Sequence, residues 1–276
     1  MARGVAKGAP DQVRTRRGGR AAKKPALMPT LTPEQVERIF KTLTSARPSP
    51  RSELNYTTPF ELLVAVILSA QSTDRAVNQA TAGLYSTHNT PQALLELGEA
   101  GLRHAIRTIG LAPTKARNIQ AACRLLLERH GGQVPQQREA LEALPGVGRK
   151  TANVVLNVAF GQPTIAVDTH VFRVSNRTGL APGRTVLEVE QALLRVVPER
   201  FALEAHHQLI LHGRYVCTAR KPRCGECVIR QVCAWPEKLL EQALENTRTA
   251  GTFPARKTAR DAPRGQRSAT KRRANG

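Results

Sequence analysis

Apolar residues recur at helical spacing along most of the middle of the chain. In the segment 113–130, Ile119, Ala122, Cys123 and Leu126 stand three or four positions apart. This spacing places them on one face of a helix, so it predicts a core-facing stripe in which Cys123 is buried. Similar patterns predict helices over residues 59–70, 74–86, 91–97, 99–108, 113–130, 137–143, 149–160, 169–178, 185–197 and 200–213.

Pairs of threonine and proline mark where several of these helices begin. In the segment 32–35 a threonine can serve as N-cap, a proline follows at the first helical position, and a glutamine completes a capping box. The same Thr-Pro pair recurs at residues 58–59 and 90–91. The folded part is therefore expected to begin near Leu31.

Strand patterns are almost absent from the sequence. The best of them, Thr164–Val167, is four residues long, and the connections between apolar segments are short and carry Gly or Pro. The longest apolar run, Leu62–Leu68, is far shorter than the roughly 18 to 20 residues that a membrane-spanning helix needs. The sequence predicts an all-α, soluble protein without a membrane partner.

Positive charge is concentrated at the two ends of the chain. The 276 residues carry 42 Lys and Arg against 21 Asp and Glu, a net charge of +21. Residues 1–28 account for +7, residues 246–276 for +8, and the body between them for +6. Both ends are rich in Gly, Ala, Pro and Arg, which predicts disordered basic tails. Such tails favour a polyanionic partner such as nucleic acid, because binding releases counterions from a phosphate backbone.

The segment Leu144–Gly148 carries the first sign of chemistry. Its two glycines, Gly146 and Gly148, permit a tight turn of exposed backbone just before a new helix. The first amides of a helix are unpaired and lie at its positive end, so this turn predicts an anion site. Arg149 and Lys150 follow directly, so a phosphodiester is the expected ligand of this site.

Two further segments complete a specific pattern. They are Val167–Arg173, which reads VDTHVFR, and Leu68–Asp74, which reads LSAQSTD. Together with the Leu144–Gly148 turn they resemble the motifs of the helix-hairpin-helix DNA glycosylases of the endonuclease III kind. The resemblance runs from about Leu31 to Trp235, which is nearly the whole expected folded part.

The resemblance implies base-excision repair, by a DNA glycosylase that is also an abasic-site lyase. Lys150 occupies the position of the family's nucleophile, which forms a Schiff base with the sugar and allows β-elimination of the 3′ phosphate. Asp168 occupies the position of the catalytic aspartate. The implied substrate is double-stranded DNA with oxidised or otherwise damaged pyrimidines, or with abasic sites.

Local chemistry agrees with these two roles. An amine attacks carbon only when it is uncharged, and the first turn of a helix and the neighbouring Arg149 both disfavour a cation at Lys150. Asp168 precedes a helical segment, so its ordinary role is an N-cap. We expect it both to cap that helix and to accept the lysine proton.

The resemblance also implies a set of DNA contacts. Gln71 would fill the gap left by the extruded nucleotide and Leu111 would wedge into the duplex, although the adjacent Ala112 and Pro113 stand where relatives often carry bulkier or polar residues. The remaining expected contacts are Gly146, Gly148, Arg149, Thr151, His170, Arg220, Lys221 and Arg223.

Four cysteines near the end of the expected folded part follow the pattern C-x6-C-x2-C-x5-C. They are Cys217, Cys224, Cys227 and Cys233. Taken alone, this pattern fits either Zn²⁺ or an iron–sulfur cluster, and unligated thiols are a third reading. Zinc sites more often pair two C-x-x-C knuckles, and only one is present. The spacing resembles the cluster loop of the same family, which implies a [4Fe–4S] cofactor.

Two other functions fit parts of the pattern. An adenine-mismatch glycosylase shares the hairpin, the aspartate and the cluster, but that family generally lacks a lysine at position 150. A non-catalytic DNA-binding module would use the hairpin and the basic tails alone, and the combination of Lys150 with Asp168 argues against it.

The resemblance predicts two helical domains with a DNA cleft between them. A six-helix barrel with the helix-hairpin-helix would span residues 52–162, and residues 29–51 with 163–245 would form the iron–sulfur domain. The protein is expected to be a monomer in the bacterial cytoplasm, associated with the nucleoid and not secreted.

Overall fold

The computed structural model describes residues 30–238. This part of the chain contains ten α-helices and no strand, as the sequence predicts. The helices are α1 Pro33–Ala46, α2 Pro59–Ser69, α3 Asp74–Tyr85, α4 Pro91–Ala105, α5 Ala112–His130, α6 Arg138–Glu142, α7 Arg149–Phe160, α8 Thr169–Thr178, α9 Val186–Val196 and α10 Glu199–Tyr215. The two predicted basic tails, 1–28 and 246–276, lie outside the described residues.

The predicted helix starts are confirmed. Thr32 caps α1 by accepting from the backbone N–H of Gln35 at 3.4 Å, and the Gln35 side chain accepts the Thr32 N–H at 2.8 Å. Thr58 and Thr90 cap α2 and α4 in the same way, each with proline at the start of the helix. Each cap satisfies a backbone donor that would otherwise be unpaired at the helix end.

The predicted break between residues 91–97 and 99–108 is confirmed, because Gly98 has the non-helical values φ 73° and ψ 168° and divides α4 into two helical parts. The second part ends at Ala105 rather than at residue 108. One other segment differs from its predicted form. The extended segment Thr164–Val167 is buried but pairs with no strand. Instead, the amide of Asn157 on α7 donates to the Thr164 carbonyl at 3.1 Å, and the Thr164 hydroxyl donates to the Asn153 carbonyl at 2.6 Å. A side-chain amide and a backbone carbonyl of one helix thus take the place of a partner strand.

The buried apolar residues form two clusters. One contains residues from Leu54 to Leu156 and includes almost all of α2, together with the stripe on α5 in which Cys123 is 1% exposed. The other joins α1 to the 165–167 segment, α8, α9, α10 and Ile229. The chain therefore leaves the second cluster after α1 and returns to it after α7, which places the ends of α7 and α8 at the junction.

None of the helices within residues 30–238 combines the length and apolar composition needed to cross a bilayer.

Candidate active site

The turn before α7 presents open backbone to the junction between the clusters. Gly146 has φ 83°, a conformation that favours glycine, and a Cβ there would lie 3.0 Å from Cβ of Asn118. Gly148 is the N-cap of α7, and it offers no side-chain hydrogen bond to the first amides of the helix. Nothing lies within 4 Å of a Cβ built at Gly148. The positive end of α7 is therefore both unpaired and accessible.

Lys150 stands in the first turn of α7 and is exposed. The side chain of the preceding Arg149 is held by an ion pair. Its guanidinium makes a two-pronged ion pair with Glu190 on α9, with Nε to Oε2 at 2.9 Å and Nη2 to Oε1 at 2.9 Å. The Glu190 side chain is only 3% exposed and that of Arg149 is 42% exposed. This pair ties the start of α7 to the second cluster.

Asp168 is the N-cap of α8, as the sequence predicts. Its Oδ1 accepts from the backbone N–H groups of His170 and Val171, both at 2.8 Å. A carboxylate held by two amides points in a fixed direction. Both bonds use one oxygen, which leaves Oδ2 for a proton or a substrate group.

Lys150 and Asp168 line the same open cleft, which has a volume of about 650 Å³. They stand on different helices, and the ion pairs found within residues 30–238 do not include one between them. His170 also lines the cleft, and its Nδ1 lies 3.2 Å from Nη2 of Arg173. Thr151 follows Lys150 on α7 and is partly buried.

Gln71 and Leu111, the two expected duplex contacts, have unusual backbone conformations. Gln71 has φ 56° and Leu111 has φ 60°, in a region that residues other than glycine rarely adopt. Both are exposed, Leu111 by 59%. A Cβ built at Gly110 would lie 3.8 Å from the carbonyl oxygen of Gln71, so the two turns are adjacent.

Sequence reasoning missed the polar groups of a smaller pocket that shares Lys150 and Asp168 with the cleft. Arg214 on α10 forms ion pairs with Asp74 at 2.8 Å and with Glu53, bridging the two clusters. His206 is 2% exposed, and burial lowers its pKa to about 3. These residues stand far apart along the chain and show no spacing pattern, so only the folded structure reveals that they meet.

The four cysteines line one small, nearly closed cavity with His212 and Arg177. Burial raises the pKa of Cys227 to about 11 and also raises that of Cys233. Buried thiols of this kind ionise only beside a strong positive centre, such as iron. The Nη1 of Arg177 lies 3.8 Å from Sγ of Cys217, and the Nε2 of His212 lies 3.7 Å from Sγ of Cys227. Polar groups aimed at sulfur fit an iron–sulfur cluster, whose sulfurs accept hydrogen bonds.

Two arginines one turn apart on α8 hold the start of the cysteine loop. Arg173 donates to the Cys217 carbonyl at 2.9 Å. Arg177 donates to the carbonyls of Thr218 and Ala219 at 2.7 and 2.8 Å and stacks on Trp235. Their spacing of four residues placed them on one helical face, a signal that sequence reasoning left unused.

The loop between the first two cysteines presents its charges outward. Arg220, Lys221 and Arg223 are all exposed, while Pro222 between them is buried. The Thr218 hydroxyl donates to the Lys221 carbonyl at 2.6 Å and steadies the loop.

Comparison with known proteins assigns the chain to a family. Residues 64–199 match the HhH-GPD superfamily of base excision DNA repair proteins, and residues 217–233 match the iron–sulfur binding domain of endonuclease III. Endonuclease III of Escherichia coli strain K12 is 62% identical over 201 residues, which cover 73% of this chain and 95% of that protein. Endonuclease III of Treponema pallidum is 55% identical over 206 residues, or 75% of this chain and 98% of that protein.

Solved structures agree with this assignment. A trapped endonuclease III–DNA covalent intermediate, in an estranged-adenine complex, matches with a TM-score of 0.72 at 43% identity, over 77% of this chain and 100% of that one. A non-covalent endonuclease III–DNA complex matches with a TM-score of 0.73 at 43% identity, over 78% of this chain and 100% of that one. These findings confirm the predicted all-α fold and the [4Fe–4S] cofactor. The chain belongs to the endonuclease III family of base-excision repair DNA glycosylases with abasic-site lyase activity.

Proposed function

We propose that Lys150 is the nucleophile of this glycosylase and lyase, and that Asp168 is its proton acceptor. The observation that carries the proposal is their placement: each stands at the start of a different helix, and both line the same cleft. The cleft is open to solvent, so an extruded nucleotide can enter it.

The chemistry follows from this placement. Asp168 takes the proton that Lys150 loses, and the neutral amine attacks C1′ of the damaged nucleotide as the bond from C1′ to the base breaks. Ring opening gives a Schiff base between Nζ and C1′. Loss of a proton from C2′ then expels the 3′ phosphate, which cuts the strand. The carboxylate also stabilises positive charge that develops on the sugar.

The backbone around the hairpin and the basic loop would hold the DNA strand. The uncapped amides of α7, next to Gly146, Gly148 and Thr151, suit a phosphate, because they lie at the positive end of the helix. The exposed side chains of Arg220, Lys221 and Arg223 suit phosphates further along the strand. Arg149 keeps free N–H groups beyond those it gives to Glu190. His170 would contact the sugar or a phosphate from the opposite side of the cleft.

Gln71 and Leu111 would occupy the space that the extruded nucleotide leaves. Both are exposed, and their turns lie side by side. Both also have strained backbones, which are found where a protein clamps a ligand.

The cofactor would be held by Cys217, Cys224, Cys227 and Cys233. When bound, a [4Fe–4S] cluster supplies four iron–thiolate bonds that cross-link the loop. The three basic side chains of the loop are exposed, while Arg173 and Arg177 bind its backbone carbonyls. Cys227→Ser should therefore lower the soluble yield and the visible absorbance of the cluster. Full activity in a colourless protein would contradict a structural role for the cluster.

The proposed substrates are oxidised or ring-saturated pyrimidines in double-stranded DNA, and abasic sites. We propose two domains, 52–162 and 29–51 with 163–245, and the two buried clusters within residues 30–238 support this division. We further propose a monomer, because one chain supplies both Lys150 and Asp168, acting on the nucleoid in the bacterial cytoplasm. Gel filtration with light scattering tests the monomer.

Borohydride trapping tests the nucleophile. Wild-type protein mixed with a duplex that contains one abasic site should give a covalent adduct after reduction. Lys150→Ala should lower the yield by about a hundredfold or more, because no other amine replaces the nucleophile. Lys41→Ala is the matched control, since Lys41 is an exposed helical lysine remote from the cleft. An adduct that survives in Lys150→Ala would show that the nucleophile is misassigned.

A further inference from the structure

Lys115 on α5 is a lysine that the proposed chemistry does not use, and it is only 5% exposed. Its ammonium donates to the carbonyls of Leu68 at 2.8 Å and Ala70 at 2.6 Å, and to the hydroxyl of Ser72 at 3.2 Å. An ammonium has three N–H donors, so these three acceptors use all of them.

Stability alone does not account for a lysine at this position. All three acceptors are neutral, and none of the ion pairs found within residues 30–238 includes Lys115. Burial lowers the pKa of Lys115, because the charged form loses its hydration. An apolar side chain of similar size would avoid this cost but would not bond the three acceptors, so the role of the ammonium depends on what those acceptors hold in place.

The three acceptors surround the turn that carries Gln71. Leu68 belongs to the last turn of α2, Ala70 is the C-cap of that helix, and Ser72 leads to α3. Carbonyls at a helix end lack partners within the helix, and a cation is favoured there. The ammonium thus grips the chain on both sides of Gln71 and secures its φ of 56°.

The backbone of the same lysine binds the second turn. The N–H of Lys115 donates to the carbonyl of Leu111 at 3.0 Å, which is the first bond of α5. Leu111 has no side-chain cap and is itself left-handed, with φ 60°. One residue therefore bonds the turns of both exposed side chains, Gln71 through its ammonium and Leu111 through its amide.

We propose that Lys115 is a positioning residue that holds Gln71 and Leu111 at a fixed spacing, so that both enter the duplex where one nucleotide has been extruded. The inference rests on the proposed function, because it requires an extruded nucleotide. It goes further by naming the group that connects the two inserted side chains.

The test compares two substrates: a duplex with one abasic site, and the same abasic strand without its complement. The single strand has no gap in a duplex for Gln71 and Leu111 to occupy. Lys115→Met keeps an unbranched side chain that is one heavy atom shorter, and it removes the three donors. On duplex DNA with one abasic site, its single-turnover rate of borohydride-trapped adduct should fall about tenfold or more, because misplaced contacts slow assembly of the site. On the same abasic strand without its complement, the rate should stay within about twofold of wild type.

Gln120→Met is the matched control, because it also replaces a buried, hydrogen-bonded polar side chain with methionine. Gln120 lies on the same helix, is 2% exposed, and its side-chain amide donates to the Leu94 carbonyl, away from both turns. This variant should change the rates on the two substrates equally. A loss in Lys115→Met that is equal on both substrates would overturn the proposal, as would an unchanged duplex rate.

A second measurement covers the case in which Lys115→Met does not fold. Ser72→Ala removes one of the three acceptors and should give a smaller loss confined to duplex DNA. In a Gln71→Ala, Leu111→Ala background, Ser72→Ala or Lys115→Met should lower the duplex rate by no more than about a further twofold, because the residues act as one unit. If either substitution lowers the duplex rate as much in that background as it does in the otherwise wild-type protein, the proposal is overturned. If wild-type protein yields no adduct with either substrate, it is the proposed function that fails.

Discussion

The helices α7 and α8 begin at the same cleft, but their first turns are built in opposite ways. At α7 the N-cap is Gly148, which leaves the first amides without a side-chain partner. At α8 the N-cap is Asp168, whose carboxylate accepts from two of them. The open end attracts a phosphate and disfavours a cation, whereas the capped end brings a fixed negative charge to the cleft. One N-cap position thus decides whether a helix end keeps its first amides open or carries a carboxylate.

The largest effect is expected from removing the charge at α8 while keeping the cap. Asparagine caps a helix about as well as aspartate, so Asp168→Asn should melt like the wild type. It cannot accept a proton, so the single-turnover rate of base excision should fall by about 10² to 10⁴. Asp168→Ala should lose the same activity and also about 1 kcal/mol of stability. Wild-type activity in Asp168→Asn would show that Asp168 only caps α8 and does not accept the proton.

The converse change makes the start of α7 resemble that of α8. Gly148→Asp should fold, because φ is −100° at this position and nothing lies within 4 Å of the new Cβ. The carboxylate would cap the open amides and stabilise the helix by a few tenths of a kcal/mol, yet weaken DNA binding by about tenfold or more. Fluorescence anisotropy with a duplex that carries a stable abasic analogue measures the affinity. Gly148→Ala, which adds neither cap nor charge, should weaken binding less, and equal losses in both variants would contradict the anion site.

A smaller effect is expected from straining the turn itself. Gly146→Ala places a side chain at φ 83° and 3.0 Å from Cβ of Asn118. It should lower the free energy of unfolding by about 1 to 2 kcal/mol from the backbone alone, with a further cost for the contact. Gly161→Ala separates the two terms, because Gly161 has φ 64° with nothing within 4 Å of the added Cβ. Equal losses in urea unfolding would show that Asn118 moves aside.

The smallest effect is expected from the ion pair behind α7. Glu190→Gln removes the charge that binds Arg149 but keeps a hydrogen-bonding side chain. Because the Arg149 side chain is 42% exposed, the loss of stability should be at most about 1 kcal/mol. The released guanidinium should add about one to the slope of log affinity against log salt. An unchanged slope would show that Arg149 does not reach a phosphate even when it is unpaired.

The sequence predicted most of the helices and the candidate residues for chemistry, because both depend on local patterns. The N-cap of Asp168 and the cap of Thr32 involve partners within three residues. The extended Thr164–Val167 segment shows where local patterns are insufficient. Its β-branched residues resemble a strand, but whether a strand forms depends on a partner, and here the partner is α7, through the side chain of Asn157 and the carbonyl of Asn153.

The contacts of Lys115 and Arg149 could not be predicted from the sequence, because their partners are remote along the chain. Lys115 reaches a carbonyl 47 residues away and Arg149 reaches a carboxylate 41 residues away. Neither pair has a spacing that a helix or strand would impose.

By itself, then, the sequence determined where helices begin, which turn exposes its backbone, and where a lysine, an aspartate and four cysteines stand along the chain. The tertiary structure alone decided that Lys150 and Asp168 share one cleft and that Lys115 bonds the turns of Gln71 and Leu111, the first through its buried ammonium and the second through its backbone amide. Helix ends follow from hydrogen bonds between near neighbours, whereas a cleft and a buried charge depend on packing between segments that are remote in sequence.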